Sequence, residues 1–423
     1  MSHLGARTAV SVLRRDLPLH SALLPAVDDV VAVEQPSEPL HALRPAAVVQ
    51  ASRAFVNGFD GDVLYAVKCN PDPSLLRAVW DGGVRHFDCA SPNEVALVRG
   101  LFPRAAIHFM HPVKSRQAIR EAWERFGVRD FVLDSASELA KILQETGNDV
   151  IPAPERGLGL VVRIALPKGE ALLDLSGKFG APLDEAAALL RAARPFAARL
   201  GVSFHVGSQC MDPTAWSRAM ELAGAAIRAS GMRVDIVDVG GGFPVAYPDL
   251  TPPPMGTYFA EIERSFESLG LPAGTRLWAE PGRALVAGGA SVVVQVQMRR
   301  GTSLYINDGV YGSLSDAGAL GFRYPVRRMR PQAPASDASL AAFSFFGPTC
   351  DSADVMHGPF LLPDDIEEGD WIEIGQLGAY GACLRTSFNG FDRTHTVEVR
   401  DPPLLQGVAP VAPATVAPEL LAA

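Results

Sequence analysis

The chain has 423 residues, 48% hydrophobic and 20% charged, the balance of a globular protein with a sizeable core and length for two domains. A net charge of -9 without a long basic run excludes nucleic acid and anionic membrane as main partners, since both are held through clustered Lys and Arg. The five scattered cysteines form no CxxC pair and no apolar run approaches membrane-spanning length, which argues against a disulfide framework, structural zinc or insertion and for a reducing, cytoplasmic compartment.

Residues 1–38 read as an N-terminal extension, followed by a helix over 46–58. Eight short β-rich runs then follow, at 63–67, 84–87, 105–109, 130–133, 158–164, 201–206, 234–239 and 275–279. Between them lie 92–101, 113–126, 136–146, 183–200, 214–230 and 256–269, where apolar residues recur at helical spacing. Such alternation predicts a parallel sheet, and eight units over 39–285 predict a (β/α)8 TIM barrel with its site at the C-terminal ends of the strands. A polar residue or glycine follows nearly every run: Lys68, Asp88, His111, Asp134, Arg163, His205, Gly240 and Glu280. An open doubly wound sheet is the alternative, and it accounts less well for those strand-end residues. From 286 to 406 strand-like runs at 291–298, 303–307, 343–346, 370–374 and 394–399 lack intervening helices, which predicts a mainly β C-terminal domain. Residues 331–338 read as a loop and the Ala/Pro/Val-rich 407–423 as a disordered tail.

A lysine closing an apolar strand is a candidate Schiff-base nucleophile, because burial disfavours its ammonium form and should depress its pKa. The plainer reading of Lys68 is a head group at the barrel rim paired with Asp88 or Glu94. Gly240-Gly241-Gly242 would let backbone N–H groups approach a phosphate, and Arg283 could pair with its oxygens. Glu280 could hold a pyridine nitrogen protonated. His205 and Ser208 share a strand end, suited to ring stacking and phosphate contact, and Cys350-Asp351 sits in a Gly-Pro loop of exposed, functional character. Together these pieces point to pyridoxal 5'-phosphate.

The motifs Tyr65-Ala66-Val67-Lys68-Cys69-Asn70, Phe204-His205-Val206-Gly207-Ser208, Gly240-Gly241-Gly242-Phe243-Pro244, Glu280-Pro281-Gly282-Arg283, Asn307-Asp308-Gly309-Val310-Tyr311-Gly312 and Gly347-Pro348-Thr349-Cys350-Asp351, in this order, resemble the ornithine/lysine decarboxylases of alanine racemase-like fold type III. The resemblance runs from about residue 39 to 400 and gives 39–43 the role of a β-domain strand. It implies that Lys68 carries the cofactor, His205 stacks on its ring, and Glu280 meets its nitrogen. The phosphate would lie among Ser208, Gly240, Gly241, Gly242, Arg283 and Tyr380, with Asp88, Glu94 and Arg163 around the ring. Cys350 would protonate the product carbon and Asp351 meet the substrate's distal ammonium, both reaching across a homodimer interface into a shared site. Phe388 would face the departing carboxylate, with Tyr311 and Asp316 also near the substrate. The implied reaction is decarboxylation of L-ornithine to putrescine, with L-lysine to cadaverine beside it, in polyamine biosynthesis. Diaminopimelate decarboxylation is the alternative, disfavoured by Asp351 where that enzyme has Glu; arginine decarboxylation and alanine racemisation fit less well. A non-catalytic decarboxylase-like binding protein is the alternative from another class, opposed by retention of Lys68, Glu280, Arg283 and Cys350.

Overall fold

The computed structural model describes residues 24–149, 154–169, 171–172, 177–318, 320–331 and 336–405. The tail expected at 407–423, most of the N-terminal extension and the middle of the 331–338 loop lie outside them. A helix, Val27–Glu34, precedes strand β1 (Leu40–Leu43) and a helix over Pro45–Gly58. Eight parallel strands then close on themselves in sequence order: β2 (Asp62–Ala66), β3 (His86–Cys89), β4 (Ala106–Phe109), β5 (Asp130–Leu133), β6 (Gly159–Arg163), β7 (Arg199–Ser203), β8 (Ile236–Asp238) and β9 (Arg276–Ala279). The predicted barrel is therefore the fold.

Local chemistry starts its helices. Asp72, Ser91, Ser115 and Ser135 each accept a backbone N–H at a helix N-terminus, and Pro73 and Pro92 occupy first positions that need no donor. The helix Pro73–Asp81 was not anticipated, although Asp72-Pro73 was its signal. The helix expected over 183–200 stops at Ala193, because Pro195 has no N–H to extend the ladder, and β7 already begins at Arg199.

Leu64, Met110, Val132, Val161, Ile236 and Trp278 pack together inside the cylinder, while outward residues such as Val63 and Tyr65 join the core beneath the helices. At the opposite end from the strand C-termini, polar groups plug the barrel. His86 Nδ1 lies 2.9 Å from His108 Nε2, His108 Nδ1 3.1 Å from Asp130, and Arg199 2.7 Å from Asp130.

Beyond the barrel come β10 (Ala290–Arg300), β11 (Ser303–Ile306), β12 (Val326–Met329), β13 (Leu340–Phe346), β14 (Val355–Pro363), β15 (Trp371–Ile374) and β16 (His395–Glu398). They form a sheet of order β12-β15-β10-β11-β13-β14, which β1 joins antiparallel to β10 and parallel to β16. Strands β12 and β14 went unread. Arg327 and Arg328 mask the apolar pattern of the first, and Gly358-Pro359 looks like a turn inside the second. Arg44, 2% exposed, ties the chain after β1 to β15 through Glu373 at 2.5 Å.

Candidate active site

Lys68 stands in one 3-10 turn, Val67–Cys69, directly after β2 at the C-terminal mouth of the barrel. Its Nζ donates to Asp88 Oδ2 at 2.6 Å, from a side chain 42% open to that mouth. Burial of the amine head lowers its proton affinity, but Asp88, Tyr380 and Glu280 together outweigh that and raise its pKa above the ordinary lysine value. The expected depressed amine is thus corrected: with Asp88 against it, the group is a firmly held ammonium. Glu94 is not its partner. It accepts from Ala90 N–H at 2.6 Å while its own N–H donates to Ser91 Oγ at 3.3 Å, closing the start of the helix Pro92–Leu101.

The glycine triplet after β8 cannot carry side chains. Gly240 has φ +64 and a Cβ there would lie 2.2 Å from Phe204 O; Gly242 has φ +105 and its Cβ would meet Gly207 O at 2.4 Å. A Cβ at Gly241 would press on Glu280 O at 2.7 Å and His205 Nε2 at 3.1 Å, so the imidazole, the glycines and Glu280 line one concavity. His205 Nδ1 accepts from Gly207 N–H at 3.0 Å, which leaves Nε2 to carry the ring proton. Burial first, then the charges of Arg163 and Lys68, hold this histidine well below its usual pKa and therefore neutral. Ser208 follows it, half-buried, and Arg163 at the end of β6 stands 5.8 Å from the Phe179 ring.

Arg283, 4% exposed, is gripped on all sides. It donates to Tyr247 OH at 2.7 Å and to Asp316 Oδ2 at 3.1 Å, with the Phe322 and Tyr380 rings each 5.0 Å from its Cζ. Among the described residues its Nε has no partner. Asp316, expected near the substrate, instead serves this guanidinium, because the turn Ser315–Ala317 buries its carboxylate against Arg283. Tyr380 takes φ +55, with its N–H donating to Cys69 O at 3.0 Å and so placing the ring beside the Lys68 turn. Glu280 follows β9, its N–H bonded to Gly240 O at 2.8 Å; burial, then Asp238 and Asp88, push its pKa well up.

The remaining expected residues form a second cluster on the β-domain. Tyr311 OH donates to Asp351 Oδ2 at 2.5 Å, the Tyr311 and Phe388 rings lie 4.8 Å apart, and Cys350 Sγ donates to Asn389 Oδ1 at 3.3 Å. Ala353 N–H and the Tyr311 hydroxyl hold Asp351 below the usual carboxylate range. Cys350 and Phe388 are exposed, and among the described residues no hydrogen bond or ion pair joins this cluster to Lys68, Asp88 or Arg283.

The barrel-mouth residues fit a phosphorylated pyridine aldehyde: an amine, a concavity that any Cβ would fill, an arginine nitrogen left unpaired, and a carboxyl across from them. Residues 46–287 match the family described as "Pyridoxal-dependent decarboxylase, pyridoxal binding domain", and residues 285–378 match its C-terminal sheet domain. The chain belongs to the pyridoxal-dependent decarboxylases. It is 34% identical over 358 residues to the ornithine decarboxylase of Panagrellus redivivus, covering 78% of each chain. It is 31% identical over 350 residues to the lysine/ornithine decarboxylase of Selenomonas ruminantium, covering 81% of this chain and 84% of that one. The arginine decarboxylase of Paramecium bursaria Chlorella virus, solved bound to agmatine, superposes with TM-score 0.75 at 28% identity over 88% of this chain and 98% of that one. This decarboxylase is accordingly a pyridoxal phosphate-dependent carboxy-lyase acting on basic amino acids.

Sequence reasoning passed over the acids that build the decarboxylase's second cluster. Asp354 accepts from Val310 N–H at 2.8 Å, Thr349 N–H at 3.1 Å and Thr349 Oγ1 at 2.7 Å, pinning the Cys350 loop to the Tyr311 loop. Asp308 accepts from Gly309 N–H at 2.9 Å and Ser313 N–H at 3.1 Å and pairs with Arg385 at 2.9 Å. The available signal was an acid near several glycines: a Cβ at Gly309, Gly312 or Gly347 would fall within 2.2 Å of one of these carboxylates.

Proposed function

We propose that this decarboxylase converts L-ornithine to putrescine and CO2, with L-lysine to cadaverine as a second activity, supplying diamines for polyamine biosynthesis. The observation that carries this reading is the Tyr311–Asp351 pair: an ionised carboxylate, fixed by a 2.5 Å hydrogen bond beside the Cys350 thiol and the Phe388 ring. An acid so placed complements a distal ammonium. Asp316 faces Arg283, so Asp351 is left to read the distal end. A single charged contact discriminates weakly by chain length, since one methylene is worth about 1–3 kcal/mol, which supports mixed ornithine and lysine use.

When bound, pyridoxal phosphate supplies the sink for the electrons released as CO2 departs. The chain's own groups do the rest. Lys68 would hold the cofactor aldehyde, Glu280 would keep a proton at the ring nitrogen, and the neutral His205 would line the place of the ring. The Gly240, Gly241 and Gly242 backbone, Ser208, Arg283 and Tyr380 would hold its phosphate, and Asp88 and Arg163 would flank the cofactor. Phe388 presents an apolar face toward the substrate carboxylate, Cys350 Sγ delivers a proton to Cα, and Asp351 holds the distal ammonium. Because Cys350 and Phe388 lie exposed on the β-domain, we assign the complete site to a homodimer, each barrel mouth closed by the partner's second cluster.

The test is a side-by-side assay of ornithine, lysine, arginine and diaminopimelate, with products identified by mass. Putrescine as the dominant product, with cadaverine second, is expected. Agmatine or lysine as the dominant product overturns the assignment.

A further inference from the structure

One carboxylate in the barrel mouth has no role in the chemistry above. Asp238 ends β8 and is fully buried, with 0% exposure. Its Oδ1 accepts Gly240 N–H at 2.9 Å, which anchors the first glycine of the cradle. Its Oδ2 is buried and meets no N–H or O–H donor among the described residues. The carboxyl of Glu280 lies within side-chain hydrogen-bonding reach of Asp238. Strands β8 and β9 are neighbours, and the Glu280 N–H to Gly240 O bond of 2.8 Å fixes the two backbones so that the side chains converge. Two ionised carboxylates in that position would leave a buried oxygen without a donor and two like charges in contact, either of which is costly. One proton between them removes both penalties. Asp88 adds a third acid near the pair while Lys68 is hydrogen-bonded to Asp88, which favours the same solution, and His108 is the charged neighbour that opposes it at Asp238.

We propose that Asp238 is a positioning residue for Glu280, the two carboxyls sharing one proton, so that the group meeting the ring nitrogen is oriented by a neighbouring acid rather than by a cation. The inference rests on the reading of Glu280 as the ring-nitrogen partner. The shared proton is a property of this chain alone and stands apart from the substrate assigned above. Burial, ahead of the neighbouring charges, raises Asp238 to about 6 and pushes Glu280 well above its ordinary value, the direction a stored proton requires.

The experiment is infrared difference spectroscopy of the full-length chain stripped of pyridoxal phosphate, near neutral pH, in wild type, Asp238→Asn and Glu280→Gln. Wild type should show the carbonyl stretch of a protonated carboxyl, shifted by deuterium exchange, and both variants should lose it. In each variant an amide N–H replaces the shared proton, and Asn at position 238 still accepts from Gly240. Circular dichroism confirms that each variant folds, and if one does not, the other carries the test. Reconstituted Asp238→Asn should also show a shifted pH midpoint in the visible absorption of its bound cofactor, which a merely structural role would leave in place. Absence of the stretch in wild type, or its persistence in a folded variant, overturns the proposal. Loss of the stretch without decarboxylase activity would separate this inference from the functional one.

Discussion

At the residue scale, Arg283 shows how a side chain proposed for the cofactor is itself held by its neighbours. A guanidinium buried to 4% exposure needs a counter-charge, and Asp316 provides it at 3.1 Å. Removing one partner of such a pair costs about 3–5 kcal/mol, because the other charge is left buried and alone. Asp316→Ala should therefore lower the melting temperature and weaken pyridoxal phosphate binding, with little change in KM for the amino acid. Asp351→Ala should do the reverse, leaving stability intact and lowering kcat/KM about 10- to 100-fold, the worth of one charged hydrogen bond at ~1.5–3 kcal/mol. Thermal melts, cofactor titration and steady-state kinetics on the two variants decide it. A larger KM effect at 316 than at 351 would return Asp316 to the substrate. The sequence revealed Arg283 and Asp316 as chemistry-bearing but not as a pair, because the contact links a helix start and a 3-10 turn 33 positions apart. Lys68 shows the converse: its place was legible from the strand before it, while the sign of its pKa depended on how close Asp88 comes.

At the element scale, the barrel strands were readable because each is a short, largely buried apolar run set between helices, the first four of which after β2 start on Asp or Ser caps. The missed strands β12 and β14 lie where ion-pairing arginines or a Gly-Pro step interrupt that pattern. The polar plug at the strands' N-terminal ends carries a pH consequence. Burial, then His108, lowers His86 to about 4, against 6.5 for a free imidazole. Between those values the unfolded chain takes up a proton that the folded chain refuses, so stability falls as pH drops from 6.5 toward 4. Asp130, burial opposing but His108 and Arg199 prevailing, is held near 2, and its contribution is lost only as pH falls from 3.8 through that value. His86→Asn should be less stable than wild type near neutrality, and the gap in melting temperature should narrow as pH is lowered to 4. A gap that does not change with pH would show that His86 is not charging on unfolding.

At the scale of the whole molecule, the barrel mouth and the Tyr311–Cys350–Phe388 cluster are two halves of a site that the homodimer reading places on opposite subunits. Lys68→Ala and Cys350→Ala chains, each inactive alone, should regain about a quarter of wild-type activity when mixed equally and allowed to exchange, since half the dimers are mixed and each has one intact site. No recovery after exchange has been shown by mass would contradict a site built from two chains. Strand β1, at residues 40–43, is held between β10 and β16, whose own residues lie some 250 to 350 positions later. During vectorial synthesis this short segment leaves the ribosome long before either flanking strand exists. Its backbone donors must wait, unpaired, until nearly the last residue of the sheet has been translated, so nascent chains halted after the barrel should remain dependent on chaperones.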